Sequence, residues 1–136
     1  MPCTGPLEDR ILIRELMSDY ADAMFQCDLD AWLGCFTQDC LWRGNGMEMR
    51  GIEALKASWP NLWNPLLKMA YFTEVAAIHV DGDRATARCY SRQLMFRKDG
   101  KVDKVAGLYH DTMIKRDGRW LYAEREFEFI GRENAD

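Results

Sequence analysis

Few side chains in this chain are able to move protons, and their types and spacing narrow the chemistry. Asp28 lies between two apolar-patterned stretches. A carboxylate there can act as a general base if it borders an apolar cavity, where desolvation raises its proton affinity, or it can cap the helix that follows. Tyr20 and Tyr109 can each donate a hydrogen bond to a developing oxyanion, or fill the core with a satisfied hydroxyl. Arg125 can hold an anion or leaving group, or pair with Glu124 and Glu126 beside it. Glu74 is a further acid or base, on a segment whose alternation can turn it to solvent. His110 falls on the strand face opposite Gly107 and Tyr109, and His79 falls at a hairpin end, so neither is well placed for proton transfer. With two separated His and no Cys-x-x-Cys pair there is no ligand cluster, so no metal is expected. No glycine-rich phosphate loop appears, and no cofactor is expected either.

Residues suited to holding a molecule are more numerous. Trp42, Trp59, Trp63, Tyr71 and Phe72 concentrate where a pocket would open, and their faces suit a flat aromatic or polycyclic molecule. Trp59 reads as core; Trp42 and Trp63 are placed at the pocket. Met17, Met24, Met69 and Met95 would make such a lining adaptable.

These residues need elements to position them. From Pro6 to Phe25 the apolar residues Ile13, Leu16, Met17, Tyr20, Ala23 and Met24 recur at three- and four-residue spacing, which predicts a long amphipathic helix. A short helix is expected from Leu29 to Phe36, begun by Asp28 or Asp30, then a short strand through Leu41 and Trp42 and a turn at Gly44-Asn45-Gly46. A third helix, Ile52 to Trp59, should be stopped by Pro60, leaving Asn61 to Pro65 as a loop or lid. After Lys68 the period becomes two. Segments Tyr71–Val80, Ala85–Phe96, Val102–Lys115 and Arg119–Phe129, separated by Asp81-Gly82-Asp83, Asp99-Gly100 and Asp117-Gly118, predict an antiparallel meander.

Helices first and strands afterwards, without βαβ alternation, make a single α+β domain in which a curved sheet wraps against the helices and encloses an apolar pocket. On the second long strand Ala85, Ala87, Cys89, Ser91, Gln93 and Met95 share the face better suited to a pocket wall. On the third, Val105, Gly107, Tyr109 and Asp111 share a face, where Gly107 would leave room for a ligand and Tyr109 would offer a hydroxyl.

Composition excludes other classes. Its 136 residues make one domain, and 48% hydrophobic with 12% aromatic residues supply a core, which excludes disorder, collagen and coiled coil. A net charge of −4 without a basic run argues against nucleic acid. The apolar runs are too short for a membrane span. Five cysteines, an odd number, and no apolar leader read as reduced thiols in a cytoplasmic protein.

The order Tyr20, Asp28, Phe36, Trp42, Gly51, then Val80-Asp81-Gly82-Asp83, then Gly107-Leu108-Tyr109-His110-Asp111, then Asp117-Gly118-Arg119-Trp120 and Arg125, resembles the SnoaL-like branch of the nuclear transport factor 2-like superfamily over about residues 8 to 130. The resemblance implies a cone-shaped α+β barrel with a deep hydrophobic pocket. It also implies kinship with scytalone dehydratase, bile-acid dehydratase, hexachlorocyclohexane dehydrochlorinase, ketosteroid isomerase and polyketide cyclases. In the dehydratase pattern an Asp works with a His, assisted by a Trp and an Arg. By position these are Asp28, Trp42 and Arg125, whereas the His place falls at or next to Thr73, so the Asp–His dyad is broken here.

The reading is thus a cofactor-independent lyase, with a dehydratase-like elimination on a small hydrophobic, aromatic or polycyclic molecule. Asp28 would take the proton and Tyr109 with Arg125 would hold the anion or leaving group. Tyr20, Met24, Trp42, Trp63, Tyr71, Thr73, Gln93, Met95 and Gly107 would bind the substrate. An isomerase or polyketide cyclase is the alternative, and a non-catalytic binding or subunit-assembly module the rival from another class. A homodimer or homotrimer is implied by the resemblance.

Overall fold

The computed structural model describes residues 2–135. In chain order the elements are β1 (Cys3–Thr4), α1 (Leu7–Gln26), α2 (Leu29–Leu33), β2 (Phe36–Gly44), β3 (Met47–Arg50), α3 (Ile52–Trp63), β4 (Leu66–Asp81), β5 (Arg84–Arg97), β6 (Val102–Arg116) and β7 (Arg119–Ala135). All strands join one open, curved sheet in the order β1-β4-β5-β6-β7-β2-β3. The α+β class with helices preceding the sheet is as the sequence predicts, but the sheet is mixed. β4 to β7 form the antiparallel meander, whereas β2 lies parallel to β7 and β1 parallel to β4. A parallel pair needs a long crossover rather than a tight turn, so no local signal announces it.

Helix α1 buries Ile13, Leu16, Met17, Tyr20, Ala23 and Met24 against the concave face, as its periodicity requires. Asp9 in its first turn accepts hydrogen bonds from Lys115 Nζ at 3.0 Å and Trp120 Nε1 at 3.1 Å, which ties the helix to β6 and β7. Those donors hold the Asp9 carboxyl below its usual range. At the other end Tyr20 touches the rings of Trp32, Phe36, Tyr71, Tyr109 and Tyr122, with centroids 5.8 to 6.2 Å away. The helix stops at Cys27, in the left-handed conformation with φ 53°.

Three expectations are corrected. The second helix is only Leu29–Leu33, because Phe36 already opens β2. The third does not stop at Pro60 but runs to Trp63, so Asn61 to Trp63 belong to a helix and not to a lid. Pro60 deletes one backbone bond, and the burial of Trp59 and Trp63 on one side carries the helix a further turn. The Gly44-Asn45-Gly46 turn is where expected, with Asn45 and Gly46 both at positive φ, but it closes a β2–β3 hairpin whose second strand went unpredicted.

Candidate active site

The strand parity of β5 and β6 decides which side chains meet inside the curve. Ala85, Ala87, Cys89 and Ser91 of β5 and Val105, Gly107, Tyr109, Asp111 and Met113 of β6 are buried on the concave face. The small residues near the middle of β5 leave space there. A cavity of about 410 Å³ remains between the sheet, helices α1 to α3 and the β2–β3 hairpin. Of the residues singled out in the sequence, Tyr20, Met24, Trp42, Met69, Tyr71, Gln93, Met95 and Tyr109 line it. Trp32, Met47, Met49 and Phe127 add to a wall of aromatic rings and thioethers, polarisable and able to follow a ligand's outline.

Polar groups sit at two ends. At the inner end, Tyr71 donates its hydroxyl to Tyr109 Oη at 2.7 Å, and Gln93 Nε2 donates to the same oxygen at 3.3 Å. With both bonds accepted, the Tyr109 O–H itself is left to donate. Burial pushes both phenols well above their ordinary range, so they stay protonated at neutral pH. The Trp32 and Trp42 indole N–H groups are buried without a protein acceptor, although both residues line the cavity. At the outer end lie Asp103, Arg132, Asn45 and Asn61. Asp103 is the one carboxylate among the described lining residues, and Arg132 Nε lies 3.0 Å from its Oδ1.

Arg125 does not reach the cavity. It lies on the concave face behind the tyrosines, fully buried, with Nε donating to Asp111 Oδ1 at 2.9 Å and Nη2 to Oδ2 at 3.5 Å. Asp111 and Arg125 are register partners on β6 and β7. The neighbouring glutamates are engaged elsewhere, since Glu124 and Glu126 pair with Arg43 on the outer face. The guanidinium carbon lies 3.6 Å from the Tyr109 ring centre, 4.2 Å from that of Tyr20 and 4.5 Å from that of Tyr122. Burial pushes the Asp111 carboxyl up to about 6 against the pull of Arg125, so the pair is ionised at neutral pH.

Asp28 is the main departure from expectation. Its side chain accepts from Ala31 N–H at 3.0 Å as the N-cap of α2, it is exposed, and it faces an outer groove beside Asp19, Asp22 and Arg119 instead of the cavity. Thr73 is half-buried opposite Ser91 and does not line the cavity; on β4 that place belongs to Tyr71. Trp63 is buried against Trp59, with ring centroids 5.6 Å apart, and is also absent from the lining. Gly107 makes room for a protein ring and not for a ligand, since a Cβ there would sit 2.3 Å from the Phe127 ring. Glu74 is exposed, His110 pairs with Glu128, and His79 meets Thr4 at the sheet edge.

Sequence reasoning missed Asp103, Arg132, Trp32 and Phe127. Asp103 had a signal, since it shares parity with Val105 and Tyr109 on β6. Arg132 had none. An irregularity where Gly107 pairs with Phe129 but Ala106 with Gly131 inserts one residue into β7 and flips the face on which everything after it lies.

Among the described residues no three His, Cys, Asp or Glu side chains gather as a metal site, and no helix is long and apolar enough to cross a membrane. All five cysteines are free, and burial pushes Cys35 up to about 12.

With this architecture in place, the chain belongs to the SnoaL-like domain family, whose model matches residues 5–126. It is similar to the solved structure of a proposed aromatic ring hydroxylase from Novosphingobium aromaticivorans, at 26% identity, TM-score 0.89, and coverage of 97% of this chain and 96% of that one. A proposed scytalone dehydratase from the same species superimposes with TM-score 0.88 at 19% identity, covering 96% of this chain and 89% of the other. A hexachlorocyclohexane dehydrochlorinase, LinA type 2, does so with TM-score 0.86 at 17% identity, covering 96% and 90%. The last two likenesses show the shared fold. No curated protein matches the chain.

Proposed function

We propose that the protein is a cofactor-independent lyase that eliminates water or another small fragment from a hydrophobic ring compound held in this cavity. The observation that carries the reading is the buried Tyr71–Tyr109 hydrogen bond at the inner end of an apolar, aromatic-lined cavity. As the bond to a leaving oxygen breaks, negative charge grows on that oxygen. A donor already oriented by two accepted bonds and shielded from water is worth several kcal/mol there. Arg125 does not touch the substrate; its cation beneath the Tyr109 ring favours charge building on that phenol as it gives up its proton.

A lyase also needs a base, and Asp28 does not supply one from the surface. Asp103 is the carboxylate that the described lining offers. Since it stands at the end opposite Tyr109, proton removal and departure of the leaving group take place at opposite ends of the bound molecule, and a conjugated ring connects them electronically. The aromatic ring hydroxylase name carried by a similar structure supports the same class of substrate. The dehydratase and dehydrochlorinase names of two others support elimination.

Double-bond isomerisation is the second reading. The same tyrosine pair favours it, because an enolate oxygen needs a donor and no leaving group. A panel of hydroxylated ring compounds incubated with the protein and followed by mass spectrometry separates the two, with loss of water for a lyase and unchanged mass with a new spectrum for an isomerase. Absence of turnover with every ring compound, or full turnover after Tyr109→Phe, would refute the reading.

A further inference from the structure

We infer that Gln93 is the positioning residue of the tyrosine pair: by presenting its amide nitrogen to Tyr109, it leaves one phenolic proton of the pair for the bound molecule. A side chain that accepts a hydrogen bond in its place would withdraw that proton and switch the pair off. The inference rests on the reading of the cavity as the substrate site and adds what keeps its inner end a hydrogen-bond donor.

The count of protons carries it. Tyr71 and Gln93 are register partners on β4 and β5, and both line the cavity. Both reach the hydroxyl of Tyr109, which comes from β6: Tyr71 Oη at 2.7 Å and Gln93 Nε2 at 3.3 Å. A pair of phenols owns one proton per oxygen, and the bond between the oxygens takes one of them whichever way it points. The fate of the other depends on what faces Tyr109. An amide N–H only donates, so within this trio the remaining proton has no acceptor. A carbonyl or carboxylate in the same place would accept from Tyr109 while Tyr71 donates to Tyr109, and neither phenol would have a proton to offer.

The surroundings leave this task to Gln93. Tyr71 and Tyr109 are 2% and 3% exposed, so bulk water does not orient their hydroxyls. The other amides among the described lining residues, Asn45 and Asn61, stand at the outer end. Arg125 approaches Tyr109 through the ring, and its Nε and Nη2 donate to Asp111, so it does not compete for the hydroxyl. The polarity of the pair therefore turns on one neutral side chain that touches the phenol oxygen.

A pair of probes with one shape tests this: 2-acetylnaphthalene, whose carbonyl only accepts, and 2-isopropenylnaphthalene, which has CH2 in place of that oxygen. Burial alone favours the hydrocarbon. The wild type should bind the ketone about tenfold tighter in equilibrium dialysis, the scale of a hydrogen bond. Infrared difference spectra should show the bound carbonyl stretch lowered. Gln93→Leu neither donates nor accepts, and should keep both the preference, within a few-fold, and the lowered stretch. Gln93→Glu should abolish both once its carboxyl is ionised, as the carboxylate band in the same spectra reports, with hydrocarbon affinity kept within a few-fold. A carboxyl that stays protonated donates as the amide does, and should leave the preference intact. In a Tyr109→Phe background Gln93→Glu should make no further difference, whereas direct repulsion of the ketone would persist there. An ionised Gln93→Glu variant that keeps the preference, a Gln93→Leu variant that loses it, or a further loss of ketone binding in the Tyr109→Phe background overturns this inference alone. If the wild type binds the probes equally, or binds neither, the inner end holds no donor for a ring compound, and the proposed function fails with it.

Discussion

The guanidinium carbon of Arg125 lies 3.6 Å from the centre of the Tyr109 ring, while the Tyr109 hydroxyl accepts from Tyr71 and Gln93. A buried cation on one side of the phenol and two donors on its oxygen both favour charge on it, and burial opposes them. The net effect is a phenol that remains protonated yet is polarised toward the cavity. This is what an acid or oxyanion donor requires.

Tyr109→Phe removes that donor and keeps the ring. Turnover of any substrate found should fall at least about a hundredfold, while affinity for a purely apolar ring compound changes little. Tyr71 Oη and Gln93 Nε2 lose their shared acceptor, so stability should fall by about 1–3 kcal/mol in denaturant unfolding. Unchanged turnover would remove Tyr109 from the chemistry.

The Asp111–Arg125 pair should behave as a buried unit. Arg125→Met alone strands a buried carboxylate and should cost about 3–5 kcal/mol, read from the guanidinium midpoint. Asp111→Leu combined with Arg125→Met should recover most of that loss, because two apolar side chains need no counter-charge. Turnover should not recover with stability in the double variant, since the cation beneath Tyr109 is still missing. A double variant no more stable than Arg125→Met would show that the pair is not coupled.

The pH dependence of stability carries a sign that can be checked. Burial raises the Asp111 carboxyl to about 6 in the folded protein, against about 4 when unfolded. Between those values the folded state holds a proton that the unfolded state does not, so this group favours folding more as pH falls from 6 to 4. The contribution is fully present below the unfolded value and lost as pH rises through 6. Asp111→Asn lacks it. The stability difference between wild type and Asp111→Asn should therefore grow in favour of the wild type on lowering the pH from 7 to 4, by the order of 2 kcal/mol. A difference independent of pH would place the Asp111 carboxyl in its ordinary range.

The parts of this molecule legible in its sequence are those governed by local rules. Six buried positions of α1 were set by spacing alone, and the turns at Asn45-Gly46 and Asp117-Gly118 by residues that tolerate positive φ. Strand parity placed Gln93, Met95 and Tyr109 on the cavity wall. What stayed hidden depends on long-range pairing or on a break in parity. The parallel register of β2 on β7 is not written locally, and one inserted residue near Ile130 turned Arg132 inward when simple alternation would turn it out. Arg125 shows a different limit. An arginine between two glutamates reads as a surface ion pair, but its partner is Asp111, fourteen residues back on the adjacent strand.

Asp28 shows why residue type alone decides little. A carboxylate at the end of a helix followed by a second helix satisfies both a catalytic and a capping reading, because each needs only a short acidic side chain at that point. The geometry separates them: the oxygen is 3.0 Å from Ala31 N–H, and the side chain is exposed beside an outer groove. Asp28→Ala should therefore cost about 1 kcal/mol of stability, as loss of an N-cap does, and leave turnover within a few-fold of wild type. Asp28→Asn, which preserves the cap, should be close to neutral in both. The decisive measurement is turnover at a temperature well below the unfolding transition of each variant. A hundredfold loss there in the Asn variant, with its unfolding midpoint unchanged, would return Asp28 to the catalytic machinery and require the first turn of α2 to open toward the cavity during reaction.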